Sequence, residues 1–108
     1  MSVHVENDDQ YNQVIKEQMP SGRAIFVKCS AEWCGPCKVI APHYDKLASE
    51  NPLNVFVSLD VDHCEDTTRD LKIRGMPTFV VLKGGKEVSR IVGANQRKLV
   101  AVVESFVE

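Results

Sequence analysis

The chain has 108 residues, of which 44% are hydrophobic and 26% charged, and its formal net charge is -2. This length fits a single domain with a core of its own. The slightly acidic balance argues against nucleic-acid binding through a basic surface. No apolar run approaches the roughly 18 residues that a membrane-spanning helix needs. We therefore expect neither a nucleic acid nor a membrane as partner.

The N-terminal segment, residues 1–13, has neither the basic region nor the apolar region of a secretory signal peptide. A cytoplasmic location is therefore expected. In such a chain, four cysteines favour redox chemistry or metal binding over a scaffold of structural disulfides.

The first half of the chain alternates strands and helices. Val3 and Val5 alternate with polar residues, which predicts a short strand. A helix follows the capping candidate Asn7 and ends at residues 20–22, which read Pro-Ser-Gly. Residues 24–29 are mostly apolar and predict a buried strand. A second helix is predicted from Cys34 onwards.

Pro42 lies inside the second predicted helix and is expected to bend it. Beyond it, residues 53–59 predict a strand and residues 63–73 a short helix. Two further strands, at 78–82 and 87–92, are joined by Gly84 and Gly85 as a hairpin. The last helix follows Asn95 and carries an apolar face of period 3.6.

The predicted order of elements is βαβαβαββα, which indicates an α/β fold. Helical crossovers imply parallel neighbouring strands, and the final hairpin implies an antiparallel edge. Because two of the strands are apolar throughout, helices are expected on both faces of a mixed sheet.

The segment over residues 31–38, AEWCGPCK, carries the candidate chemistry because it joins a buried strand to a helix. Cys34 and Cys37 are three residues apart, so they lie on one side of a helical turn and can form a disulfide. So short a loop constrains the unfolded chain very little, and the bond suits repeated formation and cleavage better than stabilisation. Pro36 fits the first turn, where its missing N–H has no intrahelical role.

Cys34 is expected at the first position of the helix, where free N–H groups and the helix dipole favour a thiolate. The predicted mechanism is attack of Cys34 on a target disulfide, followed by attack of Cys37 on the mixed disulfide. Lys38 adds a weak positive field. The alternative interpretation of the motif is a zinc site, but one Cys-x-x-Cys supplies only two of the four ligands of a tetrahedral site. No second ligand pair stands at a usual spacing, so no metal is expected.

These motifs resemble those of the thioredoxin family, and those of its eukaryotic cytosolic members most closely. The matching residues are Trp33-Cys34-Gly35-Pro36-Cys37-Lys38, Pro42, Asp60 to Asp62, Met76-Pro77-Thr78, the hairpin at Gly84, and Gly93-Ala94. The resemblance extends along essentially the whole chain. It implies that residues 1–108 form one thioredoxin domain, with a five-stranded mixed sheet flanked by four helices.

The resemblance also implies a docking surface beside the cysteines. Pro77 would be a cis-proline facing them, and the backbone of Met76 would pair with an extended substrate segment. The surface would consist of Trp33, Gly35, Pro36, Met76, Pro77, Gly93 and Ala94.

The function implied is that of a protein-disulfide reductase that binds no cofactor and acts as a monomer. Its electrons would come from NADPH through a flavoprotein, thioredoxin reductase. Its substrates would include peroxiredoxin, ribonucleotide reductase and methionine sulfoxide reductase. An alternative is a redox-sensitive binding subunit or regulator of a partner protein. An oxidase or isomerase of a secretory compartment is disfavoured, because no signal or retention sequence is present.

Lys28 departs from the family pattern, in which a buried Asp lies beneath the second cysteine. The lysine that often accompanies that Asp corresponds here to Ser58. A charged Lys28 near the site would favour thiolates, and a desolvated one would act as a base. The simplest expectation is that its stem packs while its ammonium reaches solvent or pairs with an acid such as Asp60.

Two cysteines lie outside the motif. Cys29 falls in a buried strand and is expected to be a small core residue. Cys64 is expected to be a partly exposed thiol at the start of a short helix, and the resemblance raises a regulatory role for it.

Overall fold

A computed structural model of the chain describes residues 1–107, and Glu108, the last residue of the predicted domain, lies outside the described residues. Five strands and four helices alternate in the predicted order. The strands are β1 (Ser2–Val5), β2 (Ile25–Ser30), β3 (Val55–Asp60), β4 (Thr78–Lys83) and β5 (Lys86–Val92). The helices are α1 (Asp8–Gln18), α2 (Gly35–Glu50), α3 (Glu65–Asp70) and α4 (Gln96–Phe106), and a 3-10 turn (Met19–Ser21) follows α1.

The strands form one sheet in the order β1-β3-β2-β4-β5. β3 is parallel to both of its neighbours, whereas β4 is antiparallel to β2 and to β5. The predicted mixed sheet, with a parallel part built by helical crossovers and an antiparallel hairpin at one edge, is therefore confirmed.

The two faces of the sheet carry separate cores because successive strand residues point to opposite sides. On one face, Val27 and Cys29 of β2 pack in a cluster that includes Tyr11 of α1. On the other face, Phe26 packs in a cluster that includes Tyr44 of α2, together with residues of α4. Within residues 1–107, no helix combines the length and apolar character that crossing a membrane requires.

Two predicted boundaries were wrong. The third strand begins at Val55 rather than at residue 53, and Leu53 is 67% exposed, in a turn that ends before the strand. The third helix covers only Glu65–Asp70 instead of 63–73. It ends early because the backbone of Lys72 has a φ of 56°, in the left-handed region.

Candidate active site

The cysteine pair lies where the carboxyl end of β2 turns into α2. The backbone N–H of Cys34 donates to the carbonyl of Ala31 at 3.1 Å, which closes the turn between the two elements. Cys34 and Cys37 form a disulfide, with their Cα atoms 5.3 Å apart. Their spacing along the chain thus places both sulfurs at the N-terminus of one helix.

The sequence predicts Cys34 at the first helical position of α2, and this was wrong by one residue, because Cys34 is the capping residue and Gly35 begins the helix. The backbone of Cys34 is extended, with φ -91° and ψ 105°, and its sulfur accepts a hydrogen bond from the N–H of Cys37 at 3.2 Å. Gly35 and Pro36 supply the first two helical positions, and the first turn contains no acidic residue. The free N–H groups of the turn and the positive end of the helix dipole therefore surround this sulfur, and both stabilise a thiolate there.

Trp33 flanks the pair on the solvent side and is 68% exposed. Its indole N–H donates to a carboxylate oxygen of Asp62 at 2.9 Å, and the N–H of Asp62 donates to the side chain of Asp60 at 2.8 Å. Sequence reasoning assigned no role to Asp62. The structure shows that Asp62 holds the exposed indole in place, so that its apolar faces remain available.

A second loop comes close to the cysteines from the start of β4. The Met76–Pro77 peptide bond is cis, as the resemblance implies, and Met76 packs against the buried cluster that contains both cysteines. The N–H of Gly93 donates to the carbonyl of Pro77 at 2.8 Å. The ring of Pro77 is buried, whereas Ala94 is exposed and Met76 and Gly93 are half-buried.

A cleft of about 230 Å³ lies behind Cys37, between α2 and the ends of β2 and β3. Lys28, Ser30 and Asp60 help to line it. Lys28 is only 9% exposed, and its Nζ lies 5.3 Å from the centroid of the Tyr44 ring. The stem of Lys28 is therefore packed, as expected, and its ammonium lies at the open cleft, where solvent reaches it. Among residues 1–107, the expected ion pair with Asp60 does not form, because the ammonium lies over the aromatic ring instead.

Burial lowers the pKa of Lys28, and the nearby carboxylate of Asp45 opposes this shift. The sequence identified this residue as unusual but not its surroundings. The register of the sheet places Lys28 of β2 beside Ser58 of β3, and Ser58 beside His4 of β1. This register could not be predicted from the sequence.

The two remaining cysteines are buried in the same core cluster as the cysteine pair. Burial raises the pKa of Cys29 to about 12. The expected partial exposure of Cys64 was wrong, because its side chain is fully buried at the start of α3. Burial raises the pKa of Cys64, and the negative charges of Asp8, Asp60 and Glu6 add to the shift. Neither thiol has the electropositive, accessible surroundings of a reactive cysteine.

The fold and the site match those of known proteins. The sequence model of the family described as Thioredoxin matches residues 2–105. A thioredoxin H-type from Fagopyrum esculentum is 41% identical over 90 residues, which cover 83% of this chain and 78% of that protein. A thioredoxin from Coprinus comatus is 38% identical and is matched over 93% of this chain and 92% of its own length.

Solved structures agree. The crystal structure of a thioredoxin from Nicotiana alata superposes with a TM-score of 0.94 at 30% identity, covering 99% of this chain and 93% of its own. The X-ray structure of Fasciola hepatica thioredoxin superposes with a TM-score of 0.88 at 40% identity, covering 98% and 99% of the two chains. The chain belongs to the thioredoxin family, and it is a thiol–disulfide oxidoreductase that reduces protein disulfides.

Proposed function

We propose that Cys34 is the attacking cysteine and Cys37 the resolving cysteine of this protein-disulfide reductase. The observation that carries the assignment is the hydrogen bond from the Cys37 N–H to the Cys34 sulfur. Only Cys34 occupies the capping position of α2, where the helix stabilises negative charge. Cys37 lies one turn further in and faces the cleft.

The reaction follows in two exchanges. The Cys34 thiolate attacks one sulfur of the target disulfide, and the other target sulfur leaves as a thiolate that takes a proton from solvent. The thiol of Cys37 then loses its proton to solvent, and its sulfur attacks that of Cys34. The Cys34–Cys37 bond forms, and the second target sulfur leaves and is protonated. Two electrons have passed from the cysteine pair to the target, and of the two protons that the target gains, one balances the proton released by Cys37 and the other comes from solvent.

The target segment docks across the exposed surface beside the pair. Trp33 and Ala94 offer exposed side chains, and Met76 offers a backbone edge for an extended segment. The hydrogen bond between Gly93 and Pro77 supports this arrangement because it joins the loop of Ala94 to the loop of Met76, which packs against the cluster that contains the cysteines. Gly35 and Pro36 keep the approach to the Cys34 sulfur free of bulky polar side chains.

The electrons that restore the dithiol come from NADPH through a flavoprotein, thioredoxin reductase. The oxidised partners are enzymes that carry a disulfide after turnover, such as peroxiredoxin, ribonucleotide reductase and methionine sulfoxide reductase. The protein acts in the cytoplasm as a monomer, with residues 1–108 as a single domain. Its relatives of the thioredoxin family support this assignment.

Reduction of insulin disulfides tests the assignment. With NADPH and thioredoxin reductase present, we expect turnover by the wild-type protein and background rates for Cys34→Ser. Cys64→Ala is the matched control, because it removes a buried thiol outside the site. Full turnover by Cys34→Ser would contradict the assignment. Activity with dithiothreitol but not with the reductase would contradict the proposed electron source alone.

A further inference from the structure

We propose that Lys28 is a positioning residue that promotes the second exchange, because its ammonium stabilises the thiolate of Cys37 across the cleft. The inference rests on the proposed roles of the two cysteines and extends them. In this proposal, Lys28 of the sheet promotes ionisation of the Cys37 sulfur, whereas the N-terminus of α2 promotes ionisation of the Cys34 sulfur.

The cleft brings the two groups together. Lys28 lies in the middle of β2 and Cys37 in the first turn of α2, and both line the same space of about 230 Å³. Ser30, two residues further along β2, lines it as well. Alternate residues of a strand point to the same face. The side of β2 that carries Lys28 is therefore the side that α2 covers.

Burial makes the charge effective. Lys28 is 9% exposed, and its ammonium lies over the ring of Tyr44, a fully buried residue of α2. A charge in such a place acts through a lower effective dielectric than it would in bulk water. Its influence on a neighbouring thiol is therefore larger than that of an exposed lysine.

Other charged groups face the same space, and none of them replaces Lys28. The titratable and charged residues on the surrounding elements are His4, Glu32, Lys38, Tyr44, Asp45 and Asp60. Asp60 is partly exposed and the side chains of Glu32 and Lys38 are exposed, so water screens their charges. Within residues 1–107, Lys28 is the only buried cation that lines the cleft.

The chemistry follows from the order of events. When Cys34 is held in a mixed disulfide, Cys37 must release a proton before it can attack. A cation across the cleft increases the fraction of Cys37 present as thiolate at neutral pH. As the pH rises and Lys28 loses its own proton, this assistance disappears. An arginine at the same position would keep its charge, because guanidinium does not deprotonate in proteins.

The test separates the two exchanges. An excess of the reduced protein is mixed with 5,5′-dithiobis(2-nitrobenzoate), and release of the coloured thiol is followed by stopped flow. The first phase reports attack by Cys34, and the second reports resolution by Cys37. Each phase is measured as a function of pH for the wild-type protein, Lys28→Met and Lys28→Arg. The control is Lys46→Met, which removes an exposed cation from α2 outside the cleft.

We expect the pH midpoint of the second phase to rise in Lys28→Met and to stay near the wild-type value in Lys28→Arg and Lys46→Met. If the pKa of Cys37 rises by about one unit in Lys28→Met, the thiolate fraction at neutral pH falls about tenfold. The more basic thiolate is roughly threefold more nucleophilic, so the rate of the second phase at neutral pH should fall about threefold. Above the midpoint, where Cys37 is ionised in both proteins and Lys28 is still charged, the order reverses and Lys28→Met becomes the faster protein, and the difference disappears as Lys28 loses its own proton. A purely structural role for Lys28 would not produce this crossing.

The proposal is overturned if Lys28→Met keeps the wild-type midpoint, or if both phases slow by the same factor at every pH. If Lys28→Met does not fold, Lys28→Gln takes its place with the same expectations. The first phase tests the proposed role of Cys34 separately from the proposed role of Lys28. Its loss in Cys34→Ser supports the assignment of the attacking cysteine whatever the outcome for Lys28.

Discussion

The backbone N–H of Cys37 lies 3.2 Å from the sulfur of Cys34 and donates a hydrogen bond to it. The residue that performs the second exchange thus also stabilises the sulfur that performs the first. This contact arises from helix capping, because the side chain of a capping residue accepts from the N–H three positions further along. The Cys-x-x-Cys spacing therefore places a disulfide and a hydrogen-bonded nucleophile in the same turn.

Trp33 is expected to act in substrate binding rather than in the exchange itself. Trp33→Ala should raise KM for insulin about tenfold, a loss on the order of 1–2 kcal/mol, as for a typical anchoring aromatic at an interface. The rate with a small aromatic disulfide should hardly change. Leu53→Ala is the matched control, because Leu53 is also an exposed apolar residue, at 67%, and lies outside the site. Equal losses with protein and small-molecule substrates would contradict a docking role.

Asp8 is expected to make stability depend on pH. Its carboxylate accepts from the hydroxyl and the N–H of Thr67, at 2.6 and 2.8 Å, and these bonds hold its pKa below the ordinary value of 3.8. Because the folded pKa is the lower one, the stabilisation is complete above the unfolded pKa and is lost as the pH falls through the folded pKa. Asp8→Asn should therefore lower the melting temperature at neutral pH, and the difference should shrink in acid.

Thermal unfolding followed by circular dichroism from neutral to acid pH checks this expectation. Asp9→Asn is the control, since Asp9 is exposed in the same first turn of α1. A constant difference between the wild-type protein and Asp8→Asn down to the lowest pH would argue against the linkage.

Tyr44 is expected to contribute to stability through its hydroxyl. This group lies 2.8 Å from the carbonyl oxygen of Val57 and 3.1 Å from that of Phe26, so it ties α2 to two strands. Tyr44→Phe should lower the free energy of unfolding by about 1 kcal/mol, the usual net value of a buried hydrogen bond. Urea unfolding measures the change. Tyr11→Phe is the control, because the Tyr11 hydroxyl has no hydrogen-bond partner within residues 1–107; an equal loss in both variants would refute the role.

The buried thiols should not react in the folded protein. We expect two thiols of the native reduced protein to react, those of Cys34 and Cys37, and all four cysteines to react after unfolding. The reason is that Cys29 and Cys64 are fully buried and that burial raises the pKa of both. Titration with a chromogenic disulfide measures the counts. A third fast thiol that disappears in Cys64→Ala would restore the regulatory hypothesis for Cys64.

Much of the fold follows from local patterns in the sequence. Alternation, capping residues such as Asn7 and Asn95, and the Gly84–Gly85 turn predicted every strand and helix in the correct order. The errors occur where tertiary contacts, rather than local sequence, determine the conformation or burial of a residue. Leu53 has a strand-like sequence context, but it lies in a turn before β3. Cys64 lies among polar residues, yet the chain folds it into the core.

The site was predictable to a similar extent. The Cys34–Cys37 spacing indicated the chemistry without any tertiary information. The position of Met76 and Pro77 followed only from the resemblance, because local patterns do not show which loops meet. Strand register and side-chain packing determine two further contacts: the hydrogen bond from Trp33 to Asp62 and the position of the Lys28 ammonium over the Tyr44 ring. Neither leaves a signal in a single sequence.

Trapping of the mixed disulfide tests the central claim most directly. Cys37→Ser retains the attacking sulfur but cannot resolve, so incubation with a disulfide-bonded peptide should accumulate one covalent adduct. Mass mapping should place that adduct on Cys34, and the reverse variant, Cys34→Ser, should accumulate far less. An adduct on Cys29 or Cys64, or stronger trapping by Cys34→Ser, would contradict the account.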